Sequence, residues 1–224
     1  MMARLFPLRR TAALTAVSAA LLLGGCATRQ PYDYTAFKAN RPASLVVLPP
    51  LNQSPDVKGS IGVLAQATAP LAEAGYYVLP VSLVEEAFRE NGLTTAHDIH
   101  DVAPAKLREV FGADAVVYLN VKRYGTSYAV ISSETAVAVE GRIVDLRSGD
   151  LLWKGEAVAS SAETQASNQA GLIGLLVQAV VNQIVATTTD QSFTYAGMAS
   201  NRLLGPGVFN GVLAGPRSPK FKQD

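Results

Sequence analysis

Residues 114–121 read D-A-V-V-Y-L-N-V and form the longest run of β-type residues in the chain. Its valines and its tyrosine favour a strand. Before this run, apolar residues at helical spacing predict a helix over about residues 103–111. The inward face of that helix is predicted to consist of Leu107, Val110 and Phe111. Gly112 is the expected stop signal between the helix and the strand.

Three further strands are predicted after this run, at about residues 126–132, 135–145 and 151–160. The sequence R-S-G-D at 147–150 has the composition of a hairpin turn between the last two, and Trp153 lies in the last one. Consecutive strands joined in this way predict an antiparallel meander.

Two shorter strands and two helices are predicted upstream. The strands are residues 44–48, which two prolines close, and residues 75–81. The helix between them has a predicted apolar face of Ile61, Leu64, Ala65, Thr68, Leu71 and Ala72. Ser82 and Glu85 have the spacing of a capping box, which predicts the start of the next helix. That helix has a predicted apolar face of Leu83, Val84, Ala87 and Phe88.

The element order predicts an α/β (α+β) fold. A β-α-β-α-α-β start followed by an antiparallel meander implies a mixed β-sheet flanked by helices. We predict a single domain over residues 44–204 and a Gly/Pro-rich tail over 205–224. Residues 170–186 are apolar almost all round, which indicates a C-terminal helix that is buried in the core, covered by a partner or, least favoured, in contact with the membrane.

The amino-terminal segment has the form of a lipoprotein signal peptide over residues 1–25. Three arginines precede an uncharged apolar run at 11–23, which is too short for an ordinary membrane span. The run ends in L-G-G-C and resembles the lipobox of bacterial lipoproteins, which implies cleavage before Cys26 and attachment of acyl chains to its thiol. A buried or free thiol is the alternative. Residues 26–43 are predicted to be a lipidated tether.

The charge of the chain gives no indication of nucleic-acid binding, and its cysteine content excludes an intramolecular disulfide. Without the three leader arginines, 16 basic and 18 acidic residues remain, a net charge near −2, so no basic excess indicates nucleic-acid binding. Cys26 is the only cysteine, so no intramolecular disulfide can form. Ala27, rather than an aspartate, follows the cysteine. In lipoproteins of Gram-negative bacteria, this choice resembles the pattern of proteins that go to the outer membrane by default.

The search for catalytic or metal-binding residues yields two weak candidates. His97 and His100 stand with Asp98 and Asp101 in H-D-I-H-D, which could begin a metal site but is more typical of a turn between two helices. Ser132 and Ser133 precede Glu134, without a nearby histidine or a G-x-S-x-G motif. We therefore predict no catalytic residue, no metal and no cofactor, with His97 and His100 as the alternative ligand site.

Four stretches together resemble a known family: G-Y-Y-V-L-P-V-S-L-V-E-E-A-F, K-L-R-E-V-F-G-A-D-A-V-V-Y-L-N-V, Y-G-T-S-Y and V-D-L-R-S-G-D-L-L-W. The family comprises Gram-negative lipoproteins of unknown function and includes a surface-associated neisserial vaccine antigen. More distantly, F-G-A-D-A-V-V with the meander is similar to the periplasmic fold of the TolB amino-terminal domain and CsgG. That resemblance implies a role in envelope assembly or export.

These observations predict a non-enzymatic lipoprotein held at the outer membrane by lipid on Cys26, with its domain facing the periplasm or, alternatively, the cell exterior. An envelope protein or a second copy of the chain is the expected partner, through the 170–186 helix or the Gly/Pro-rich tail. The alternative is a periplasmic domain that binds a small ligand or metal through His97 and His100.

Overall fold

The computed structural model describes residues 30–129, 132–165 and 191–223. One compact unit begins at Asp33. Cys26 and the predicted helix at 170–186 lie outside the described residues, so both remain predictions.

A six-stranded mixed sheet forms the centre of this unit, in the order β3-β1-β4-β5-β6, with β2 paired to β4. Its strands are β1 Ser44–Val47, β2 Leu51–Asn52, β3 Tyr77–Val78, β4 Ala115–Ala129, β5 Ser132–Asp145 and β6 Leu151–Ser160. β1 pairs in parallel with β3 and β4, whereas β4–β5 and β5–β6 are antiparallel. The predicted mixed sheet and its closing antiparallel meander are confirmed.

Helices flank the sheet on both faces. They are α1 Thr35–Asn40, α2 Gly59–Glu73, α3 Val81–Glu90, α4 Ala96–His100, α5 Pro104–Phe111, α6 Ala162–Gln165 and α7 Gln191–Leu204. Successive side chains of a strand point to opposite faces. Val116 and Tyr118 of β4 therefore join the core cluster with α3, α4 and α5, and Leu119 lies beside Leu203 of α7 on the other face.

The central strand is longer than predicted. β4 runs without a break from Ala115 to Ala129, so the prediction of a separate strand at 126–132 is wrong. Polar residues and Gly125 interrupt the sequence pattern, but pairing with β5 continues through a register shift between Val121 and Arg123. A bulge of this kind absorbs the irregular residue while the ladder continues.

The buried face of helix α2 matches the predicted one only in part: Leu64 and Leu71 are buried as predicted, but other predicted residues are not. Gly62, Val63, Leu64, Ala67 and Leu71 are buried. Of the predicted face, Ile61, Ala65 and Ala72 are exposed, and the side chain of Ile61 is 72% accessible. The physical reason is close packing: at Gly62 an added Cβ would lie 2.6 Å from the Tyr124 hydroxyl, so the helix turns the side that carries Gly62 towards the sheet.

Helices α3 and α5 differ from their predicted details. α3 begins at Val81, and its N-cap Pro80 has no side-chain hydrogen bond, so the predicted capping box is wrong. Leu83 and Val110 were predicted to face inward but are 66% and 51% exposed. Each of these short helices lies on the sheet surface and buries a narrow stripe, Val84 and Phe88 in α3 and Leu107 in α5.

Both ends of the predicted domain extend further than residues 44–204. Phe37 of α1, within the predicted tether 26–43, is buried. The Gly/Pro-rich tail is irregular but held against the body, because the hydroxyl groups of Tyr34 and Tyr76 donate hydrogen bonds to the carbonyls of Gly211 and Leu213. The folded body thus includes residues on both sides of the predicted boundaries.

Candidate functional site

A groove of about 480 Å³ lies on the sheet face that carries α4. We call it the sheet groove. Its polar side chains are His100, Tyr118, Asn120, Glu140, Arg142, Lys154 and Glu156. A second depression of about 480 Å³ shares His100, Tyr118, Arg142 and Lys154 with it and extends towards Pro104 and Leu151.

Strand register arranges these side chains in two rows. Tyr118, Arg142 and Lys154 are direct partners across β4, β5 and β6, and they form the first row. Asn120, Glu140 and Glu156 are partners in the same way and form the second row. Positions two apart on a strand share a face, so both rows line one surface, about 7 Å apart.

The first row places two cations side by side. Arg142 lies directly opposite Lys154, and like charges in that position repel. The Arg142 guanidinium stacks over the Tyr118 ring, 4.1 Å from its centroid, in a cation–π contact. Burial raises the pKa of the Tyr118 phenol, and the charge of Arg142 acts in the opposite direction. The phenol is therefore a neutral platform that holds the guanidinium in place.

The second row places two carboxylates side by side. Glu140 lies opposite Glu156, and Glu140 also forms an ion pair with Lys122 at 3.0 Å. Both members of that pair are substantially exposed, so the pair contributes little stability. Asn120 Oδ1 is buried, with no hydrogen-bond partner among the described residues.

His100 closes one side of the groove. Its Nε2 lies 2.9 Å from the Pro49 carbonyl oxygen, and its ring packs edge-on against Tyr118 at 5.2 Å. Burial lowers the pKa of His100, with help from the charges of Arg142 and His97, and outweighs the hydrogen bond to Pro49 and the charge of Asp101. The imidazole is therefore neutral near pH 7, and because a carbonyl only accepts, Nε2 carries the proton.

The two histidines of the predicted ligand site have different surroundings. His97 is exposed on α4, and only His100 contributes to the groove. Across the described ranges, no group of three or more His, Cys, Asp or Glu side chains is placed to hold a metal ion. The segment that was predicted as a turn is helix α4, whose N-cap Thr95 accepts a hydrogen bond from the Asp98 amide.

The serine candidate lies in a different part of the sheet. Ser133 is buried opposite Tyr128 near the end of the β4–β5 hairpin. The Glu134 carboxylate accepts hydrogen bonds from Ser160 Oγ and from Arg123, and these two bonds lower the pKa of Glu134. Glu134 is thus bound by a hydroxyl of β6 and a guanidinium of β4, an arrangement that ties β5 to both neighbouring strands.

Arg142, Lys154 and Asn120 were not predicted as site residues from the sequence. The predicted turn at 147–150 was the available signal, since it sets β5 against β6 and brings 142 close to 154. A register shift between Ile143 and Val144 changes the pairing by one residue, so the like-charge pair emerges only from the structure.

The comparisons with known proteins point to a lipoprotein family. The family described as "Putative lipoprotein GNA1162-like" matches residues 32–217. A putative lipoprotein of Neisseria meningitidis serogroup B is 50% identical over 203 residues, which cover 90% of this chain and 94% of that protein.

A solved structure agrees with this relationship. The crystal structure of lipoprotein GNA1162 from Neisseria meningitidis is 53% identical, with a TM-score of 0.52, and covers 64% of this chain and 99% of its own. The C-terminal domain of LpoB from Salmonella enterica is 18% identical, covers 52% of this chain and 82% of its own, and has a TM-score of 0.40. Within the described residues, no helix has both the length and the apolar character to cross a membrane.

Proposed function

The chain belongs to the GNA1162-like lipoprotein family, and from that premise we propose a non-enzymatic lipoprotein, anchored in the outer membrane through Cys26. Its folded body contacts another envelope protein and serves an assembly, secretion or transport system. The observation that carries the proposal is the match, over nearly the whole of both chains, to a protein named as a lipoprotein.

The anchor is supported by the leader. Cys26 follows Leu23-Gly24-Gly25 directly behind an apolar run and three arginines. Each buried methylene of an acyl chain contributes about 0.8 kcal/mol, so several chains on one cysteine hold a protein at a membrane permanently. Residues 27–32 then lie between the lipid and the folded unit that begins at Asp33.

Contact with a protein partner is supported by helix α2, which is apolar on its exposed side as well as on its buried side. Its exposed apolar residues, here called the α2 stripe, are Ile61, Ala65, Ala69 and Ala72. α7, which packs against α2, exposes Phe193 and Met198 by 43% and 41%. Exposed apolar groups that are contiguous along a helix are typical of surfaces that bind other proteins.

A non-enzymatic role is supported by the state of the reactive groups. His100 Nε2 is engaged by the Pro49 carbonyl, and Glu134 is engaged by Arg123 and Ser160. Glu134 accepts a hydrogen bond from the Ser160 hydroxyl, but the bonds from Ser160 and Arg123 lower the pKa of Glu134 and make it a weak general base.

Replacement of Cys26 by alanine tests the proposal. Wild type, Cys26→Ala and the control Thr28→Ala are compared by membrane fractionation and by pull-down after crosslinking in intact cells. We expect wild type and Thr28→Ala to fractionate with the outer membrane and to recover one specific envelope protein. Cys26→Ala should be soluble or remain unprocessed, and it should lose the crosslink.

Two results would contradict the proposal. Outer-membrane fractionation of Cys26→Ala would mean that another segment attaches the protein. A strictly monomeric wild type that recovers no specific protein would contradict the proposed contact with an envelope protein. Protease treatment of intact cells separates the two orientations, because a domain that faces the periplasm is protected until the outer membrane is opened.

A further inference from the structure

The two rows of the sheet groove carry opposite charge. The cations of the first row, Arg142 and Lys154, form no ion pair with any carboxylate in the described part of the chain. Both line the groove, and the stacking of Arg142 on Tyr118 fixes its position. A pair of adjacent cations repels itself until an anion bridges it. The planar guanidinium fork matches a carboxylate.

The second row presents groups that would bind a cation and a hydrogen-bond donor. Glu156 forms no ion pair among the described residues, and Asn120 Oδ1 is a buried acceptor without a donor there. Nearly all buried polar atoms in folded proteins have a hydrogen-bond partner, so an orphaned acceptor on a groove wall indicates a missing donor. An ammonium group over Glu140, the middle residue of this row, supplies both a donor for Asn120 and a positive charge for Glu156.

The spacing of the rows limits the size of the ligand. Positions two apart on an antiparallel strand are separated by about 7 Å. An extended dipeptide separates its ammonium and carboxylate by about 6–7 Å, since adjacent Cα atoms lie 3.8 Å apart. The groove volume of about 480 Å³ accommodates a molecule of that size with side chains.

We propose that the sheet groove binds a small peptide-like zwitterion, with its carboxylate between Arg142 and Lys154 and its ammonium against Asn120 and Glu156. This inference is independent of the membrane anchor and of the α2 stripe. A variant that loses one function therefore keeps the other, and the two proposals fail separately.

Calorimetric titration of the full chain, purified in detergent, tests this site. The probe is diglycine, compared with N-acetyl-diglycine, which lacks the ammonium, and with diglycine amide, which lacks the carboxylate. We expect saturable binding of diglycine and binding about tenfold weaker for each blocked peptide, the size of one lost charged contact.

Variants of exposed residues separate the groove from the rest of the surface. Lys154→Gln should weaken diglycine binding about tenfold, and Glu156→Gln should do the same through the ammonium. Arg147→Gln, in the exposed turn beside the groove, is the matched control and should bind like wild type. Because Lys154 and Glu156 are exposed, these variants should fold, which a circular dichroism spectrum checks.

Three results would overturn the inference. They are the absence of saturable diglycine binding by the wild type, equal binding of the blocked peptides, and equal affinities of Lys154→Gln and Arg147→Gln. If N-acetyl-diglycine bound as tightly as diglycine while diglycine amide bound more weakly, the site would be a simple anion site. Asn120 and Glu156 would then have no role in binding.

Discussion

Asp114 ties the first strand to the central strand, and its replacement by asparagine should destabilise the domain. Asp114 Oδ2 accepts hydrogen bonds from the Ala43 amide at 2.9 Å, the Ser44 amide at 3.0 Å and Ser44 Oγ at 2.9 Å. These bonds hold the start of β1 beside the start of β4, where the parallel pairing of the two strands begins.

The expected loss follows from the number and kind of these bonds. A hydrogen bond to a charged group contributes about 1.5–3 kcal/mol, and the amide of asparagine retains one acceptor oxygen without the charge. Asp114 is half-buried, so solvent screens part of the effect. We expect a loss of about 2 kcal/mol, which lowers Tm by about 4–8 °C for a domain of this size.

The pH dependence of stability shows whether the charge of Asp114 or only the shape of its side chain is responsible for the loss. Burial raises the pKa of Asp114, but the hydrogen bonds from Ala43 and Ser44, together with the charge of Arg108, outweigh it and hold the pKa below the usual 3.8. A carboxyl whose pKa is lower in the folded state stabilises the protein above the unfolded-state pKa. That stability is lost as the pH falls through the folded-state pKa.

The assay is thermal and urea unfolding of wild type, Asp114→Asn and the control Asp150→Asn, an exposed carboxylate in the β5–β6 turn. At pH 7 only Asp114→Asn should be destabilised. The difference in the free energy of unfolding between Asp114→Asn and wild type should be smaller at pH 3. Equal stability of the two variants at pH 7, or a difference that does not narrow in acid, would refute the reasoning.

Two further predictions concern packing and partner contact. At Gly155 an added Cβ would lie 2.5 Å from Trp153 Cζ2, so Gly155→Ala should cost about 1–3 kcal/mol in urea unfolding. In a Trp153→Leu background, Gly155→Ala should cost less than it does in the wild type. Strictly additive losses of stability in the double variant would contradict the clash. In the α2 stripe, Ile61→Glu should reduce the envelope crosslink severalfold, whereas Leu83→Glu, equally exposed on α3, should not; equal effects would exclude the stripe as the contact.

Local signals predicted much of the fold because their physical causes are local. The run D-A-V-V-Y-L-N-V lies in the central strand, and β5 ends and β6 begins on either side of the predicted turn at 147–150. Gly112 ends α5 in the left-handed conformation, with a φ of 64°, which glycine adopts readily. Strand propensity, turn composition and backbone freedom are properties of a few neighbouring residues.

The buried face of α2 was not predictable in this way. Its sequence, G-S-I-G-V-L-A-Q-A-T-A-P-L-A-E, is apolar on nearly every side, so hydrophobic spacing alone allows more than one face. The close approach of Gly62 to Tyr124 decides the question, and these two residues are distant in sequence. Three residues of the predicted face, Ile61, Ala65 and Ala72, therefore belong to the exposed α2 stripe, whereas Leu64 and Leu71 are buried as predicted.

The sequence by itself determined the local elements: the central strand, the β5–β6 turn, the helix stops and the leader pattern that predicts a lipid on Cys26. Tertiary structure alone decided the strand order, the continuity of β4 and the sheet groove, in which Arg142 meets Lys154 and Glu140 meets Glu156. The physical reason is register: pairing between strands, with bulges that shift it by one residue, sets which side chains share a face.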